Sequence, residues 1–340
     1  MPGSIGDPTT HRQDSFVSAH LLPAVPVVDI SNPSATSLAA LDAACRDHGF
    51  FLLAGHGLDS LIDNTWRETE RFFDADRAVR QAVVRDKANP LGWFDRELTK
   101  RKRDQKEVFD YVDPSVIGLD RKNRWPDNLP GFRDSMVSFF DAVSVLAQRT
   151  LSLLHETLEL SEEGRTRIAN DRHGSTVRLN HYPLADPVPN LERESLPDLG
   201  ETALGYHTDP GVLTLLLQDD TGGLQTQSAR DGWIDVPPVP GTVVVNLADC
   251  MQSWTNDRWR AAVHRVVPMT RKRRFSIPYF SNPNRDAVVE PVPELCANGP
   301  RYRAVAWRSF IQSRTYDNFT DLGADDTQMA HYRIETGESA

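Results

Sequence analysis

The stretch from Gly205 to Ser276 constrains the fold more than any other part of this chain. It contains short apolar and β-branched runs, such as 212–218 (VLTLLLQ) and 241–246 (GTVVVN). Turn residues punctuate it at 210–211, 222–223 and 237–241. Several short strands with regular turn signals are typical of a sandwich or a barrel. We therefore expect a mainly β protein with flanking helices and a double-stranded β-helix, or jelly-roll, core.

Two histidines and one aspartate in this stretch predict a metal site. His207 and Asp209 directly precede the 212–218 run, and in an extended chain residues i and i+2 point to the same side. His264 lies in a later strand-like run, AVHRVV. Two imidazoles and one carboxylate that converge form the facial triad of non-haem Fe(II) oxygenases. Such a triad leaves metal positions open for a bidentate co-substrate and then dioxygen.

Arg274 and Ser276 repeat the i, i+2 spacing, so both should face one way while Phe275 and Ile277 face the other. An arginine fork beside a hydroxyl is a receptor for a carboxylate. A dicarboxylate could chelate the metal at its keto-acid end and be held here at its far end. Taken singly, an H-x-D triplet, a lone histidine or the basic run 271–274 is more often a surface feature. Their order within one strand-rich stretch favours the metal site.

This order of motifs resembles the Fe(II)/2-oxoglutarate-dependent dioxygenases of the isopenicillin N synthase-like family, whose signature is H-x-D, H and R-x-S. The resemblance covers roughly residues 24 to 320. It includes PVVDIS at 26–31, HGFFLLAGHGL at 48–58, RLNHYP at 178–183 and AWRSFIQSRTYDNF at 306–319. One departure is visible, because Asn246-Leu247-Ala248-Asp249 stands where the family usually has N-x-G-D. The extra methyl group touches local packing and removes no ligand.

The resemblance implies roles for seven residues. It assigns Fe(II) to His207, Asp209 and His264. It assigns the distal carboxylate of 2-oxoglutarate to Arg274 and Ser276, with help from Tyr182, and it places Asn180 close to the co-substrate.

The implied reaction consumes 2-oxoglutarate and dioxygen and oxidises an unactivated C–H bond of a small organic molecule. The outcome can be hydroxylation, desaturation, or ring formation or expansion, with secondary metabolism as the expected setting. One alternative is an Fe(II) oxidase of the isopenicillin N synthase type, which needs no 2-oxoglutarate; Arg274 and Ser276 would then grip a substrate carboxylate. The other alternative is a ligand-binding jelly roll without catalytic activity.

Four regions are expected along the chain. Residues 1–22 form a flexible tail, 23–172 an N-terminal α/β support, 173–320 the jelly-roll core with a closing helix, and 321–340 a C-terminal tail. Apolar residues at helical spacing predict helices over 37–47 and 59–73 and a long spine helix over 132–160. The loop 184–202 is longer than most connections, so we expect a mobile flap over the iron.

Aromatic residues near the core are the expected substrate contacts. In the resembled family, the segment that corresponds to 86–111 crosses the mouth of the site. The alternative is that its aromatic residues only anchor it to the core. The candidates are Trp93, Phe94, Phe109 and Tyr111 in that segment, Phe280 after the R-x-S strand, and Phe310 on the last helix.

The composition limits the partners and the cellular compartment that the protein is expected to have. The net charge of −10 argues against nucleic acid and anionic membrane surfaces as partners. No uncharged apolar run approaches the roughly 20 residues of a membrane span. Three widely spaced cysteines do not form a disulfide framework, which favours a reducing cytoplasm. Since nothing resembles a coiled coil, we expect a monomer whose partner is a small-molecule substrate.

Overall fold

The computed structural model describes residues 25–228, 232–316 and 327–335, so the predicted tail 1–22 lies outside the described residues. The strands are β1 (Val27–Asp29), β2 (Phe50–Ala54), β3 (Gly92–Phe94), β4 (Leu98–Thr99), β5 (Lys102–Arg103), β6 (Glu107–Val112), β7 (Thr176–Tyr182), β8 (Leu204–His207), β9 (Leu213–Gln218), β10 (Leu224–Ser228), β11 (Gly232–Asp235), β12 (Thr242–Leu247), β13 (His264–Val266), β14 (Arg274–Ser281), β15 (Val288–Val289) and β16 (Val305–Ala306). The helices are α1 (Ala35–Asp47), α2 (Asp59–Asp74), α3 (Arg77–Ala82), α4 (Ile117–Asp120), α5 (Phe132–Leu158), α6 (Glu162–Arg167), α7 (Asp249–Trp254) and α8 (Trp307–Tyr316).

Two sheets form the core. The larger has the order β1-β2-β12-β9-β14-β7-β6-β3, and the smaller has the order β11-β10-β13-β8. Apolar side chains from both sheets meet in one buried cluster, which includes Phe50 and Leu216 from the large sheet and Leu224 and Val266 from the small one. The strands that carry the predicted functional residues therefore lie on two facing sheets, as in a jelly roll.

Strand alternation explains which side chains face this interior. In β2, Phe50 and Leu52 belong to the cluster between the sheets, whereas Phe51 and Leu53 belong to a second cluster under the helices. A strand that is buried on both faces needs an almost continuous apolar run, and β2 (FFLLA) and β12 (TVVVNL) have one. The polar positions within such runs are therefore the informative ones, because each must point to a site or to a partner.

The spine helix α5 covers the outer face of the large sheet. Its side chains Met136, Phe140 and Leu154 are fully buried, and Phe140 packs edge-on against Tyr279 of β14 at 5.5 Å between ring centroids. Truncating such a phenylalanine to alanine costs about 3–5 kcal/mol. By length and composition alone α5 could also cross a membrane, but 56% of its most apolar window is buried inside the fold, as in core helices.

The segment 86–111 contains several short strands. Its residues form β3 to β6, and β6 pairs along its whole length with β7, with Glu107 opposite His181 and Val112 opposite Thr176. Strand β6 is thus an inner strand of the large sheet. The alternation of apolar and polar residues does not predict β6, because polar residues interrupt its hydrophobic pattern. The partners of these polar residues are remote in sequence.

The loop 184–202 is not a flap over the metal site. Arg103 of β5, which is 4% exposed, forks onto Asp186 at 3.0 and 2.8 Å and donates to the carbonyl oxygen of Pro197 at 2.8 Å. No described residue of 184–202 lines the cavity that contains His207. The loop is fastened to the β4–β5 hairpin, so that expectation is wrong.

The described part of the expected C-terminal tail packs on the core. Residues 327–335 include a short 3-10 turn, Met329–Tyr332, whose Met329 is buried. Arg333 forms an isolated β-bridge with Tyr302, and its guanidinium binds Asp257 at 2.7 and 2.8 Å. This short stretch is therefore fixed by one apolar anchor and one ion pair, although its composition is mostly polar.

Candidate active site

His207, Asp209 and His264 converge between the two sheets. Strands β8 and β13 are neighbours in the small sheet and place His264 directly opposite His207, with 4.3 Å between the ring centroids. Asp209 follows β8, and its Oδ1 lies 3.6 Å from His207 Nε2 and 3.8 Å from His264 Nε2. One ligand atom from each residue lies within 4.8 Å of the others. Two nitrogens and one oxygen at this spacing fit one face of a six-coordinate metal.

Hydrogen bonds fix the orientation of all three side chains. Nδ1 of His207 lies 2.8 Å from the Gly205 carbonyl oxygen, and Nδ1 of His264 lies 3.1 Å from that of Ala262. A carbonyl oxygen only accepts, so each Nδ1 carries the proton and each Nε2 keeps a lone pair for a metal.

The Asp209 carboxylate is held in the same way. The Thr214 hydroxyl and the Asn246 side-chain amide, at 2.8 Å, both donate to its Oδ2. Its Oδ1 therefore remains directed at the two imidazoles. Thr214 and Asn246 are opposite each other on β9 and β12, which explains why both reach the same oxygen.

The electrostatics keep these groups in the protonation states that a metal requires. Burial would raise the pKa of Asp209, but His264, His207 and the Thr214 hydroxyl outweigh it and hold that pKa well below its usual range. Burial, followed by the neighbouring His207, lowers the pKa of His264 to about 4. At neutral pH the site therefore offers an ionised carboxylate and a neutral imidazole.

The four residues expected to bind 2-oxoglutarate also come together. The antiparallel register of β14 and β7 places Arg274 opposite Tyr182 and Ser276 opposite Asn180. The Arg274 guanidinium carbon lies 4.9 Å from the centre of the Tyr182 ring, and the Asn180 amide donates to Ser276 Oγ at 3.3 Å. All four line the same cavity as His207.

Arg274 is the exceptional member of this group. It is 0% exposed, and none of its three guanidinium nitrogens has a hydrogen-bond partner among the described residues. An unpaired buried guanidinium is costly unless an anion accompanies it. Because its side chain lines the cavity, the arrangement fits a ligand carboxylate at this end.

The cavity has a volume of about 880 Å³, which suits a co-substrate together with a small organic molecule. Of the aromatic residues predicted to contact substrate, Phe280 lines it. Trp307 and Ile311 of α8 also line it, but Phe310 does not, because it is fully buried and packs against Trp307 and Tyr332 at about 6 Å.

The other aromatic predictions are corrected by strand alternation. Phe109 and Tyr111 of β6 point away from the cavity into the cluster under the helices, with Trp93 of β3 beside them. Phe94 does not line the cavity either, and the Arg85 guanidinium lies over its ring at 4.6 Å. The burial of the first three in that cluster is what the alternative, that they anchor the segment to the core, requires.

Sequence reasoning gave no role to two polar residues that lie beside the H-x-D turn. Asp249, at the start of α7, is buried beside the H-x-D turn, and burial raises its pKa to about 6. Arg314 of α8 donates to the Thr208 carbonyl oxygen at 2.6 Å, between the two residues of that turn. The departure at Ala248 is accommodated, since its φ of −111° is in an ordinary region for a residue with a side chain.

Sequence reasoning also missed a set of buried ions. Arg85, Glu97, Lys106, Asp110 and Arg178 line the same cavity. Asp110 of β6 occupies a position that alternates with Phe109 and Tyr111, and Lys106 directly precedes that strand, but their partners could not be read from local sequence.

Comparisons with known proteins agree with this geometry. Residues 173–283 match the family model of the 2OG-Fe(II) oxygenase superfamily, and residues 25–128 match a model described as non-haem dioxygenase in morphine synthesis N-terminal. Feruloyl CoA ortho-hydroxylase 1 of Arabidopsis thaliana is 30% identical over 85% of this chain and 78% of its own length. Gibberellin 2-beta-dioxygenase of Phaseolus coccineus is 30% identical over 89% and 92%. The crystal structure of JOX2 in complex with 2OG, Fe and JA is 25% identical, covers 91% of this chain and 89% of that chain, and has a TM-score of 0.77.

Proposed function

The chain belongs to the 2OG-Fe(II) oxygenase superfamily, in its isopenicillin N synthase-like branch, and we propose that His207, Asp209 and His264 hold its Fe(II). The protein is an oxidoreductase that uses Fe(II), 2-oxoglutarate and dioxygen. The observation that carries the ligand assignment is the convergence of two Nε2 atoms on Asp209 Oδ1. The matched 2OG-Fe(II) oxygenase model and the 2OG and Fe in the JOX2 structure support this reaction over the alternatives of a 2-oxoglutarate-independent oxidase and of a ligand-binding jelly roll without catalytic activity.

We propose that Arg274 and Ser276 bind the distal carboxylate of 2-oxoglutarate. The buried guanidinium without a protein partner supports this role. Tyr182 lies against that guanidinium, and Asn180 orients the Ser276 hydroxyl. Iron bound at the triad supplies the oxidising power when 2-oxoglutarate and dioxygen are present. The residues of this chain hold the two carbon skeletons in place and keep bulk water out of the cavity.

The substrate is a small organic molecule, and we propose hydroxylation of an unactivated C–H bond as the reaction. One of the relatives is named an ortho-hydroxylase, which supports this outcome over desaturation or ring chemistry. The cavity wall beyond the triad includes Phe280, Trp307 and Ile311, which would pack on the substrate skeleton. We further propose that residues 23–172 support the jelly roll of 173–320 and that α8 closes the cavity.

The test begins with the purified protein under anaerobic conditions. Fe(II) is added, 2-oxoglutarate is titrated in, and the weak charge-transfer absorption of the chelate is followed. Dioxygen is then admitted and succinate is counted. A saturable band followed by slow succinate release is the expected result.

Two variants make the test specific for the triad. Asp209→Ala should abolish the band and succinate release, and thermal unfolding of the variant shows that the loss does not come from unfolding. Asp220→Ala is the matched control. Asp220 is an exposed carboxylate that pairs with Lys272 and follows β9, the strand that Asp209 precedes. Full activity in Asp209→Ala would show that the metal assignment is wrong.

A further inference from the structure

The five buried ions at the cavity form one connected surface, which we call the ionic wall: Arg85, Glu97, Lys106, Asp110 and Arg178. Arg178 Nε and Nη2 hold the two oxygens of Asp110 at 2.7 Å each, and Arg85 Nη1 reaches the same carboxylate at 2.7 Å. Glu97 accepts from Arg178 at 2.9 Å and from Lys106 at 3.0 Å, and it also pairs with Arg85. None of these side chains reaches one-fifth exposure.

The wall is electrically balanced once a neighbouring carboxylate, Asp104, is counted with it. Asp104 lies behind Lys106 at 3.3 Å and accepts from Thr99 Oγ1 and the Gly205 amide. Burial works to raise the pKa of Glu97, but its three cationic neighbours outweigh it and hold that pKa well below its usual range. Burial raises the pKa of Asp104, and the adjacent Lys106 counteracts this effect. Three cations therefore face three carboxyl groups.

Such a network has no evident structural need at this place. A buried group of ion pairs is often no more stable than apolar residues of the same volume, because every ion loses its hydration. These ions also lie where the substrate must fit, in the cavity that contains the triad. Arg314 also lines the cavity and donates to the Thr208 carbonyl oxygen, whereas Arg285 and Arg308 are exposed, so water screens them.

The contrast with Arg274 decides what kind of group each part of the cavity accepts. Arg274 has no counter-charge among the described residues, so an anion is favourable beside it. The ionic wall already balances its charges, so a ligand that brought a net charge would leave one charge uncompensated in a dry site. A neutral group of a ligand leaves no charge uncompensated.

The wall still has hydrogen-bonding capacity. The Lys106 ammonium has three N–H groups and, among the described residues, two carboxylate acceptors. Asp110 Oδ1 accepts one hydrogen bond, from Arg178 Nε, and an ionised carboxylate oxygen accepts about two. One donor and one acceptor therefore remain on the same surface.

We propose that the ionic wall recognises a neutral polar group of the substrate that both donates and accepts hydrogen bonds, such as an amide, a lactam or an alcohol. The proposal rests on the proposed function, since it places the substrate in the cavity of the iron site. It excludes a carboxylate or an ammonium group of the substrate at this wall.

The test uses the Fe(II)- and 2-oxoglutarate-loaded enzyme without oxygen. Saturating 2-oxoglutarate keeps Arg274 occupied, so added carboxylates cannot bind there. The probes are matched sets that differ only in the polar group: benzamide, benzoate and benzylamine, and the same three derivatives of cyclohexane. Ligand-observed NMR measures each Kd, and faster proton relaxation with Fe(II) than with Zn(II) shows that a probe lies in the cavity.

The amides should bind in the cavity at least about tenfold more tightly than the carboxylates and amines, a factor that corresponds to about 1.4 kcal/mol. Glu97→Gln leaves the wall one charge positive, so the preference should shift about tenfold or more towards the carboxylates. Lys106→Met leaves it one charge negative and should shift the preference towards the amines. Asp110→Asn repeats the Glu97→Gln test if that variant does not fold.

Asp186→Asn is the matched control, because Asp186 belongs to a buried ion pair that does not line the cavity. It should leave all ratios unchanged. A wild-type preference for carboxylates or amines, no cavity binding by any amide, or unchanged ratios in the wall variants would each overturn the proposal. The charge-transfer band recorded in the same samples keeps the two hypotheses apart. A normal band with a failed probe test rejects only the wall, whereas no band rejects the iron and co-substrate assignment.

Discussion

Replacing Arg274 with methionine should weaken the binding of 2-oxoglutarate. The same substitution should stabilise the protein when no 2-oxoglutarate is bound. The side chain is completely buried, and its guanidinium nitrogens have no hydrogen-bond partner among the described residues. Methionine has a similar length and no charge, so it fills the same space. The two effects have opposite signs, which makes the experiment more decisive than a loss of activity alone.

The magnitudes follow from the two environments of the guanidinium. Losing one partner of a buried, hydrogen-bonded charge pair costs about 2–5 kcal/mol, which raises the Kd for 2-oxoglutarate about 30-fold to about 4,000-fold. Without the co-substrate, an unsatisfied buried donor costs about 1–3 kcal/mol. The cation–π contact with Tyr182, at 4.9 Å, returns about 0.5–2 kcal/mol. The variant should therefore be more stable by about 1 kcal/mol, an increase in Tm of about 1–2 °C.

Thermal unfolding of the metal-loaded protein, with and without 2-oxoglutarate, is the assay. At a co-substrate concentration of 100 times its Kd the wild type gains about 2.7 kcal/mol, whereas the variant gains less than about 1, so the order of stability should reverse. Arg273→Met is the matched control, because Arg273 pairs with Asp74 at the surface. The reasoning is refuted if Arg274→Met binds 2-oxoglutarate as the wild type does, or if it is clearly less stable without it.

Three further results are expected. Thr214→Val removes a donor to Asp209 and should weaken Fe(II) binding about 10- to 100-fold in competition with a chelator; unchanged affinity would contradict the assigned hydrogen bond. Phe109→Ala should cost about 3–5 kcal/mol in urea unfolding, whereas Phe280→Ala, at the cavity wall, should cost clearly less; equal losses would reject their separate placement. Burial works to raise the pKa of Asp113, but its arginine, serine and histidine neighbours hold that pKa below its usual range. The Asp113 carboxylate therefore stabilises the fold above about pH 4, and this contribution is lost as the pH falls further. In Asp113→Asn the free energy of unfolding should decrease less steeply below about pH 4 than in the wild type, and an unchanged decrease would contradict the assignment.

The parts of the site that could be predicted depend on short-range geometry. His207 and Asp209 are two residues apart at the end of one strand, as are Arg274 and Ser276 within another, so alternation alone aligns each pair. The antiparallel pairing of β14 with β7 then brings Tyr182 and its neighbours to the arginine. Spacing could not show that the metal residues lie on the small sheet and the carboxylate receptor on the large one.

The parts that could not be predicted depend on partners remote in sequence. Phe109 and Tyr111 are conspicuous aromatic residues in a segment expected to contact substrate, but pairing with β7 turns them towards α5. Asp110 of β6 and Lys106 just before it gave no sign of burial in the sequence, because Glu97 and Arg178 could not be assigned to them as partners. Ion pairs have no periodic signature, so hydropathy patterns identify the buried ionic wall only after the sheet order is known.

The division of labour between the strands has a consequence for how such an enzyme acquires new substrates. The proposed iron triad and the proposed carboxylate receptor lie within residues 204–276, apart from the contribution of β7. Four of the five members of the ionic wall lie within residues 85–110. Exchange of that segment between relatives would change the substrate selectivity and leave the residues of the oxidising centre unchanged. New substrates can therefore be acquired through substitutions in one part of the chain that do not alter the other part. Grafting experiments that move 85–110 as a block, together with the residue at position 178, offer a direct route to altered specificity.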